Sequence, residues 1–333
     1  MKNGATVAAF ERAFAEYVGA RYAIALCNGT ATLHTALVAL GVTPGDRVAV
    51  PPLTMASTTI AVLHAGAVPV FHDVEPDTWL FARNDRQWAG KRVVVDLYGL
   101  HGVWTSPTTV VDSAQTLRSH ISDVAFTSYS LQASKILALG EGGMLVTNDE
   151  ALVTRAREFS SLGYRMRADQ PRIDPDVLKS PTFDRHYSLG YNYRLNDLTA
   201  AEGLKKLSSA DWLKWCRADA AALYREAMYG CDWLTPQHVP DGWTHDYWTY
   251  AVACDTPDRA IRLADETVRQ GGERPYPAWR ITYTEKAFRH LAPDGTCPVA
   301  ESLQSRILQF QTNDLASADR NAAALRRAIE VLS

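Results

Sequence analysis

Lys135 lies in the segment YSLQASKILALGEGG, residues 129–143, among small and apolar residues just before a glycine-rich turn. Desolvation disfavours an ammonium ion, so a buried lysine loses part of its proton affinity and becomes a usable amine nucleophile. Such an amine can also form a Schiff base with an aldehyde. Taken alone, Lys135 is better explained as a lysine whose ammonium reaches solvent, or as one that forms an ion pair with Glu141.

A second candidate is Asp112 in VVDSAQ, where it ends an apolar run that predicts a buried strand. A buried carboxylate without a partner is costly, so Asp112 needs a cation beside it. A protonated pyridine nitrogen would serve. For this motif alone, a structural aspartate that caps the next helix is the better explanation.

The segment CNGTATLH predicts a helix that begins at a glycine followed by Thr30 and Ala31. The first backbone N–H groups of a helix have no partner within it, and the positive end of the helix dipole suits phosphate there. Threonine is also common as an ordinary helix cap, so this segment alone does not establish an anion site.

Together, the three segments change the balance between these alternatives. A phosphate-binding helix start, a carboxylate for a pyridinium and a Schiff-base lysine are what pyridoxal 5′-phosphate (PLP) requires of a protein. They occur in that order along the chain, each at the end of a predicted strand or helix. Coincidence of three unrelated features is the weaker explanation.

The surrounding pattern alternates helices with short apolar strands over residues 23–147. TATLHTALVALG has its leucines on one helical face, and KRVVVDLYG, TTVVDSAQ and SDVAFTSYS each contain a continuous apolar run. Such runs are typical of strands buried on both faces, which predicts a three-layer α/β fold with a mostly parallel sheet. Ligands of these sheets collect at the carboxyl ends of the strands, where Asp112 and Ser130 lie.

The rest of the chain has a different character. Residues 161–191 are rich in proline, arginine and aspartate, and a loop of this length is usually functional or reaches a neighbour. A long helical stretch then leads to the strand pattern YWTYAVAC and to further helical patterns. We therefore predict a large α/β domain over residues 1–210 and a small α+β domain over residues 211–333.

The composition is that of an ordinary globular protein and disfavours several classes of function. Of the 333 residues, 47% are hydrophobic and 21% charged, and the net charge of −3 argues against nucleic acid as a partner. The five cysteines are scattered and no histidines have metal-ligand spacing, which predicts reduced thiols and no metal site. The N-terminal pattern is no signal peptide and the apolar runs are too short to span a bilayer, which predicts a cytoplasmic protein.

Most of the chain resembles the PLP-dependent sugar aminotransferases of the DegT/StrS type, within the fold-type-I aspartate-aminotransferase superfamily. The most specific matches are SYSLQASKILALGEGGMLVTND and LGYNYRLNDLTAAEGL, and NGTATLHTALVALGVTPGDRVAVPPLT, VLHAGAVPVFHDVEPDT and VVDSAQ match as well. The resemblance implies Lys135 as the Schiff-base lysine and Asp112 at the pyridine nitrogen. It also implies Gln115 near the phenolic oxygen of the cofactor.

The same resemblance places Thr30, Ala31 and Ser130 at the cofactor phosphate. In family members, the residue that matches Asn192 reaches the phosphate of the cofactor held by the partner subunit, which implies a homodimer as the active unit. The loop before Tyr191 would then lie at the dimer interface.

Departures from the family pattern concern ring stacking and the substrate. Relatives usually stack an aromatic residue on PLP where this chain has Met55, whose polarisable sulfur can also pack on a ring. The segment 78–110 is shorter than in relatives. The family's histidine-bearing substrate segment reads GGERPYPAWR here and offers Arg274, Tyr276 and Arg280. Arginines there suit a diphosphate or a donor carboxylate, although exposed arginines are more often merely solvated.

These features predict an aminotransferase that moves an amino group from glutamate or glutamine to a keto-sugar, nucleotide-linked by first choice, with ping-pong kinetics. An aminotransferase for a free keto-cyclitol, as in aminoglycoside biosynthesis, is the enzymatic alternative. A non-catalytic regulatory or assembly protein that keeps the fold is the alternative from another class, and the retention of Lys135 and Asp112 counts against it. The aromatic segment DGWTHDYWTY could stack a sugar or base, but such residues are more often core.

Overall fold

A computed structural model describes residues 5–82, 88–120, 122–164, 176 and 179–333 of the chain. The first half contains helices α1 (Ala5–Val18), α2 (Gly29–Ala39), α3 (Ser57–His64) and α4 (Glu150–Ser160), and strands β1 (Tyr22–Leu26), β2 (Arg47–Val50), β3 (Val68–Phe71), β4 (Arg92–Val95), β5 (Ser106–Asp112), β6 (Val124–Ser130) and β7 (Gly143–Thr147). The second half contains α5 (Asp197–Leu207), α6 (Ala210–Ala227), β8 (Leu234–Pro236), β9 (Thr249–Cys254), α7 (Pro257–Arg269), β10 (Tyr276–Pro277), α8 (Pro298–Gln304), β11 (Ile307–Gln311) and α9 (Leu315–Leu332).

Strands β1 to β7 form one sheet in the order β1-β7-β6-β5-β4-β2-β3. The pairings that join β2, β3, β4, β5 and β6 are all parallel, whereas β7 is antiparallel to both of its neighbours. Strands β8 to β11 form a second, antiparallel sheet in the order β10-β11-β9-β8. The predicted fold class, a mostly parallel α/β sheet with a smaller α+β part, is confirmed.

The continuous apolar runs are the buried central strands of the large sheet. Val93, Val94, Val110 and Val111 have no exposed side-chain surface, and Phe126 is equally enclosed. Because helices cover both faces of such strands, the polar residues are left to the strand ends. In the ladders, the last residue of β4 lies opposite Asp112 of β5, and Asp112 lies opposite Ser128 of β6. The polar ends therefore meet at one edge of the sheet.

The small antiparallel sheet has a hydrophobic cluster of its own. Ala221 and Tyr224 of α6, Val252 of β9, Leu263 of α7 and Leu325 of α9 pack together there. Helix α6 thus contributes to the cluster of the small sheet, although it directly follows α5. The division into domains at residue 210 stays a prediction.

The cysteines and the helices bear on the predicted class of protein. All five cysteines are free thiols. None of the helices in the described ranges is long and apolar enough to cross a lipid bilayer. Part of the predicted long loop, residues 165–175 and 177–178, lies outside the described residues.

Candidate active site

A cavity of about 850 Å³ opens at the carboxyl edge of the large sheet, with the small sheet on its other side. Residues of the loops after β2, β5 and β6 and of the start of α2 form one wall. Thr249 of β9 and Gln309 of β11 belong to the other. Seven of the predicted site residues line this cavity, namely Thr30, Met55, Asp112, Gln115, Ser130, Lys135 and Tyr276.

Lys135 lies in the irregular segment between β6 and β7, where its backbone N–H donates to the Gln132 carbonyl at 2.9 Å. Its Nζ lies over the Trp248 ring, 4.6 Å from the ring centroid. Burial lowers the pKa of the Lys135 ammonium, Asp112 opposes this shift, and Arg217 adds to it. Within the described ranges Lys135 forms no ion pair with Glu141. The amine is therefore enclosed, and its pKa lies below that of an ordinary lysine.

Two buried aspartates end neighbouring strands, and the fold neutralises only one of them. Asp96 accepts hydrogen bonds from Ser113 and from Arg118, whose Nη1 lies 3.1 Å from it. Asp112 accepts from Thr58 Oγ1 at 2.9 Å and from the Ala114 N–H at 3.1 Å, and both donors are uncharged. Burial raises the pKa of the Asp112 carboxyl, and these two hydrogen bonds oppose the shift. Asp112 is thus a carboxylate for which the described residues supply no contacting cation.

The start of α2 forms a cradle for an anion. Asn28 caps the helix by accepting from the Ala31 N–H at 2.8 Å, which leaves the preceding N–H groups of Gly29 and Thr30 to face the cavity. A Cβ on Gly29 would lie 2.9 Å from the Ser130 Cβ, so only glycine allows this approach of α2 to β6. Ala31 does not line the cavity, because its N–H is occupied by the cap. The arrangement provides backbone donors beside the hydroxyls of Thr30 and Ser130.

Gly143 brings the strand after Lys135 close to this cradle. A Cβ there would lie 2.6 Å from the Asn28 carbonyl oxygen, a backbone atom that cannot move without displacing the start of α2. Gly142 has φ +157, a conformation that side chains rarely adopt. The glycines that follow Lys135 therefore allow the lysine segment and the α2 cap to pack against each other.

Gln115 is 3% exposed and accepts, through Oε1, a hydrogen bond from the backbone N–H of Tyr98. Tyr98 adopts φ +62, in the left-handed region, so its N–H is aimed by an unusual backbone turn. Because this contact uses the carbonyl end of the Gln115 amide, the NH₂ end is left as the donor. A donor at this position suits the predicted contact with a phenolic oxygen.

Met55 lines the cavity with 48% of its surface exposed. Its Sδ accepts from the Ser57 N–H at 3.2 Å, which holds the thioether beside the start of α3. A flat ring could pack on the remaining face of this side chain.

Besides Ala31, three of the predicted residues do not line the cavity. Asn192 is exposed and pairs through its backbone with Ser161, outside the lining of the cavity. The Arg274 guanidinium lies 2.6 Å from Asp265, and Arg274 does not line the cavity. Arg280 lines a separate depression next to the cavity.

Arg217, Trp248 and Trp279 also line the cavity and were not predicted as site residues, although the aromatic segment that contains Trp248 was considered for stacking. Arg217 of α6 is 6% exposed and donates to the Trp248 carbonyl and to Thr312. Trp248 and Trp279 stack with their ring centroids 5.8 Å apart. The sequence does contain an indication for Arg217. It lies seven residues after Ala210 and seven before Tyr224, which puts an arginine on the buried, apolar face of the helix. The position of Trp279 depends on tertiary packing that no local pattern reveals.

These groups fit PLP. Asp112 is a buried carboxylate that no cation contacts within the described part of the chain, and a protonated ring nitrogen would supply one. The α2 cradle would hold the phosphate, and Lys135 is an enclosed primary amine for the aldehyde. The fit rests on the chemistry of the donors that face one cavity.

Comparisons with known proteins identify the family. The sequence model of the DegT/DnrJ/EryC1/StrS aminotransferase family matches residues 1–85 and 109–322. The GDP-perosamine synthase of Caulobacter vibrioides is 30% identical over 322 residues, which cover 87% of this chain and 81% of that protein. The spore coat polysaccharide biosynthesis protein SpsC of Bacillus subtilis is 31% identical over 293 residues, 80% of this chain and 72% of that protein. A DegT DnrJ EryC1 StrS aminotransferase from Brucella abortus is similar in structure, with a TM-score of 0.80 and 26% identity over 97% of this chain and 90% of that one. The chain belongs to the DegT/DnrJ/EryC1/StrS aminotransferase family.

Proposed function

We propose that this aminotransferase moves an amino group from glutamate or glutamine to the keto carbon of a nucleotide-linked sugar, with ping-pong kinetics. PLP is the cofactor of the family. The observation that carries the proposal is that Lys135 lines the same cavity as Asp112, a buried carboxylate for which the described residues supply no contacting cation. Curated relatives that include three GDP-perosamine synthases favour a nucleotide-linked sugar as the acceptor.

The side chains that line the cavity would have separate roles in the reaction. PLP, when bound, supplies an aldehyde for the amino group and a ring that accepts the electrons left at the donor carbon. Lys135 would hold the aldehyde end of the cofactor through its Nζ, and the same Nζ would take the proton from the donor α-carbon. Its lowered pKa increases the fraction of neutral amine available for this task. Asp112 would stabilise a proton on the ring nitrogen, and the α2 cradle would fix the orientation of the phosphate. One cavity serves both substrates, so the keto acid leaves before the ketone enters.

The wall on the side of the small sheet suits a sugar ring. Trp248 and Trp279 line this wall, and Trp279 stacks on both Trp248 and Tyr98, so the part of this aromatic stack that borders the cavity offers apolar surface to the C–H groups of a sugar. Gln309 donates its amide N–H to the Pro277 carbonyl at 2.7 Å, which leaves its carbonyl oxygen as an acceptor for a hydroxyl. Gln311 lines the same wall. Aromatic faces beside amides are the usual contacts for a polyhydroxylated ring.

The two half-reactions can be tested separately. With glutamate or glutamine alone, the loaded protein should lose the visible absorbance band of bound PLP and release one keto acid per site. Addition of a nucleoside-diphosphate keto-sugar should restore the band, whereas a free keto-cyclitol should not. Restoration by the cyclitol alone would favour the alternative substrate class. A band that no amino donor changes would contradict the aminotransferase proposal.

The proposed active unit is a homodimer in which Asn192 reaches the cavity of the partner. Asn192 does not line the cavity of its own chain, and it lies in an exposed segment with apolar neighbours. Leu189 is 97% exposed and Leu198 is 86% exposed. Large apolar side chains at such exposure are typical of a surface that another chain covers.

Leu189→Asp should therefore weaken the dimer by about tenfold or more, because a carboxylate would be buried at the interface. Size-exclusion chromatography with light scattering, over a range of protein concentrations, measures the shift to monomer. Ile261→Asp, at a 61% exposed position on α7, is the matched control and should stay dimeric. Equal behaviour of the two variants would remove this surface from the interface.

A further inference from the structure

A second depression, of about 610 Å³, lies next to the main cavity, and Pro277 and Ala278 line both. We propose that this depression binds the diphosphate of the acceptor through Arg280 and Arg289. The proposal rests on the proposed function, because it requires an acceptor that carries phosphate. Arg280 directly follows Trp279, so the sugar wall and the depression are joined by one stretch of backbone.

Thr284 holds both arginines in place. Arg280 Nε donates to Thr284 Oγ1 at 3.1 Å, and Arg289 Nε donates to the Thr284 carbonyl at 3.2 Å. The Thr284 hydroxyl donates in turn to the Ile281 carbonyl at 2.8 Å, which fixes the position of the turn. Each guanidinium thus uses Nε for its anchor and keeps its terminal nitrogens. Two planar guanidinium groups anchored on one residue can bind neighbouring phosphate oxygens bidentately.

The charge of these two arginines is not cancelled by a contacting carboxylate. Within the described part of the chain, neither Arg280 nor Arg289 has a carboxylate oxygen within the 4.0 Å of an ion pair, although both line a depression. Several other arginines of the second half do form such pairs, namely Arg259, Arg262, Arg269, Arg274, Arg320 and Arg326. The guanidinium charge at Arg280 and Arg289 is therefore available to an anion.

The main cavity has no comparable place for a diphosphate. Among the described residues that line it, the basic side chains are Lys135 and Arg217. Lys135 is needed at the reacting carbon, and Arg217 holds the Trp248 carbonyl and Thr312. A sugar ring against Trp279 would instead direct its phosphates across Pro277 and Ala278 to the depression.

Two carboxylates also line the depression and set its selectivity. Glu301 accepts from Tyr283 and from the Gly295 N–H at 2.7 Å, so it is engaged by its own turn. Asp294 is exposed and places a negative charge beside the arginines. Removal of the Asp294 charge should therefore tighten the binding of an anion, which is opposite to the effect of removing either arginine.

Isothermal titration of the PLP-loaded protein with guanosine, uridine and thymidine diphosphates tests the proposal. At least one should bind the wild type, and Arg280→Gln or Arg289→Gln should weaken it by about ten- to a hundredfold, as expected for a charge-assisted hydrogen bond. Asp294→Asn should bind it more tightly. Arg274→Gln, on the same segment but paired with Asp265, is the matched control and should bind like wild type.

Visible absorbance and its loss on addition of glutamate or glutamine should be the same in all four variants, since none of these residues lines the main cavity. Failure of the proposed function would appear in that measurement, whereas failure of this inference would appear only in the titration. The inference is overturned if no nucleoside diphosphate binds the wild type. It is also overturned if Arg274→Gln loses as much affinity as Arg289→Gln.

Discussion

Lys135→Ala protein should show no visible band from bound PLP and no transamination, even with excess cofactor. Among the described residues that line the cavity, Lys135 is the one primary amine, so alanine removes both the covalent anchor and the base. The loss of the base alone predicts a fall in kcat of at least about 10²–10⁴-fold. Absorbance spectra and a coupled assay for the released keto acid measure the two effects.

Two control variants separate the amine from its charge. Lys135→Arg keeps a positive charge beside Trp248 but provides no amine for the aldehyde, so it should fail as Lys135→Ala does. Lys206→Ala removes a different lysine, whose Nζ donates to the carbonyl of Ala138, a residue close in sequence to Lys135. This variant should keep both the visible band and the activity. A Lys135→Ala protein that retains turnover would refute the role assigned to this residue.

Asp112→Asn should bind PLP and yet lose about 10²–10³-fold in kcat, the cost of removing one preorganised electrostatic group. Asparagine has the same shape, and its carbonyl oxygen can still accept from Thr58 or Ala114. The substitution removes the negative charge that would keep the ring nitrogen protonated. Single-turnover kinetics with glutamate or glutamine, together with the visible spectrum, distinguish a slow chemical step from a lost cofactor.

The stability of the cofactor-free protein gives a second readout for Asp112. Burial raises the pKa of its carboxyl, so the native state holds this proton more tightly than the unfolded chain does. Stability therefore falls as the pH rises through the interval between the ordinary carboxyl pKa and the raised one, and at neutral pH Asp112 opposes folding. Cofactor-free Asp112→Asn should accordingly melt at the same or a higher temperature than wild type at neutral pH.

Asp96→Asn is the contrasting variant for this measurement. The Arg118 side chain is 11% exposed and forms an ion pair with Asp96. Asp96→Asn removes the carboxylate and leaves the largely buried guanidinium without its ion-pair partner. Breaking a buried pair in this way costs about 3–5 kcal/mol. A stability loss of that size in Asp112→Asn would show that Asp112 is structural, contrary to its proposed role.

The sequence alone was enough to predict the sheet and the side of it on which the site lies. Continuous apolar runs identify buried parallel strands, and Asp112 and Ser130 follow from their positions at strand ends. Lys135 could be interpreted only through the combination with the α2 start and Asp112, because each segment alone has an ordinary structural explanation. The antiparallel direction of β7 does not follow from its residues, since an apolar run fits either direction.

Residues whose roles depend on distant contacts were beyond sequence reasoning. Arg274 and Arg280 lie in one segment and look equivalent, but Asp265 of α7 pairs with the first, whereas no carboxylate among the described residues pairs with the second. Trp279 lies between them without a local pattern that marks it as a site residue, although it stacks on Trp248 in the cavity wall. Arg289 has no motif around it, and its interest comes only from sharing Thr284 with Arg280.

Lys135 is the proposed covalent anchor of PLP in this cavity. Borohydride reduction of the PLP-loaded protein, followed by proteolysis and mass spectrometry, tests it most directly. We expect one pyridoxyl phosphate adduct per chain, on Lys135, together with loss of the visible band. An adduct spread over surface lysines, or placed mainly on a residue outside the cavity, would contradict the account.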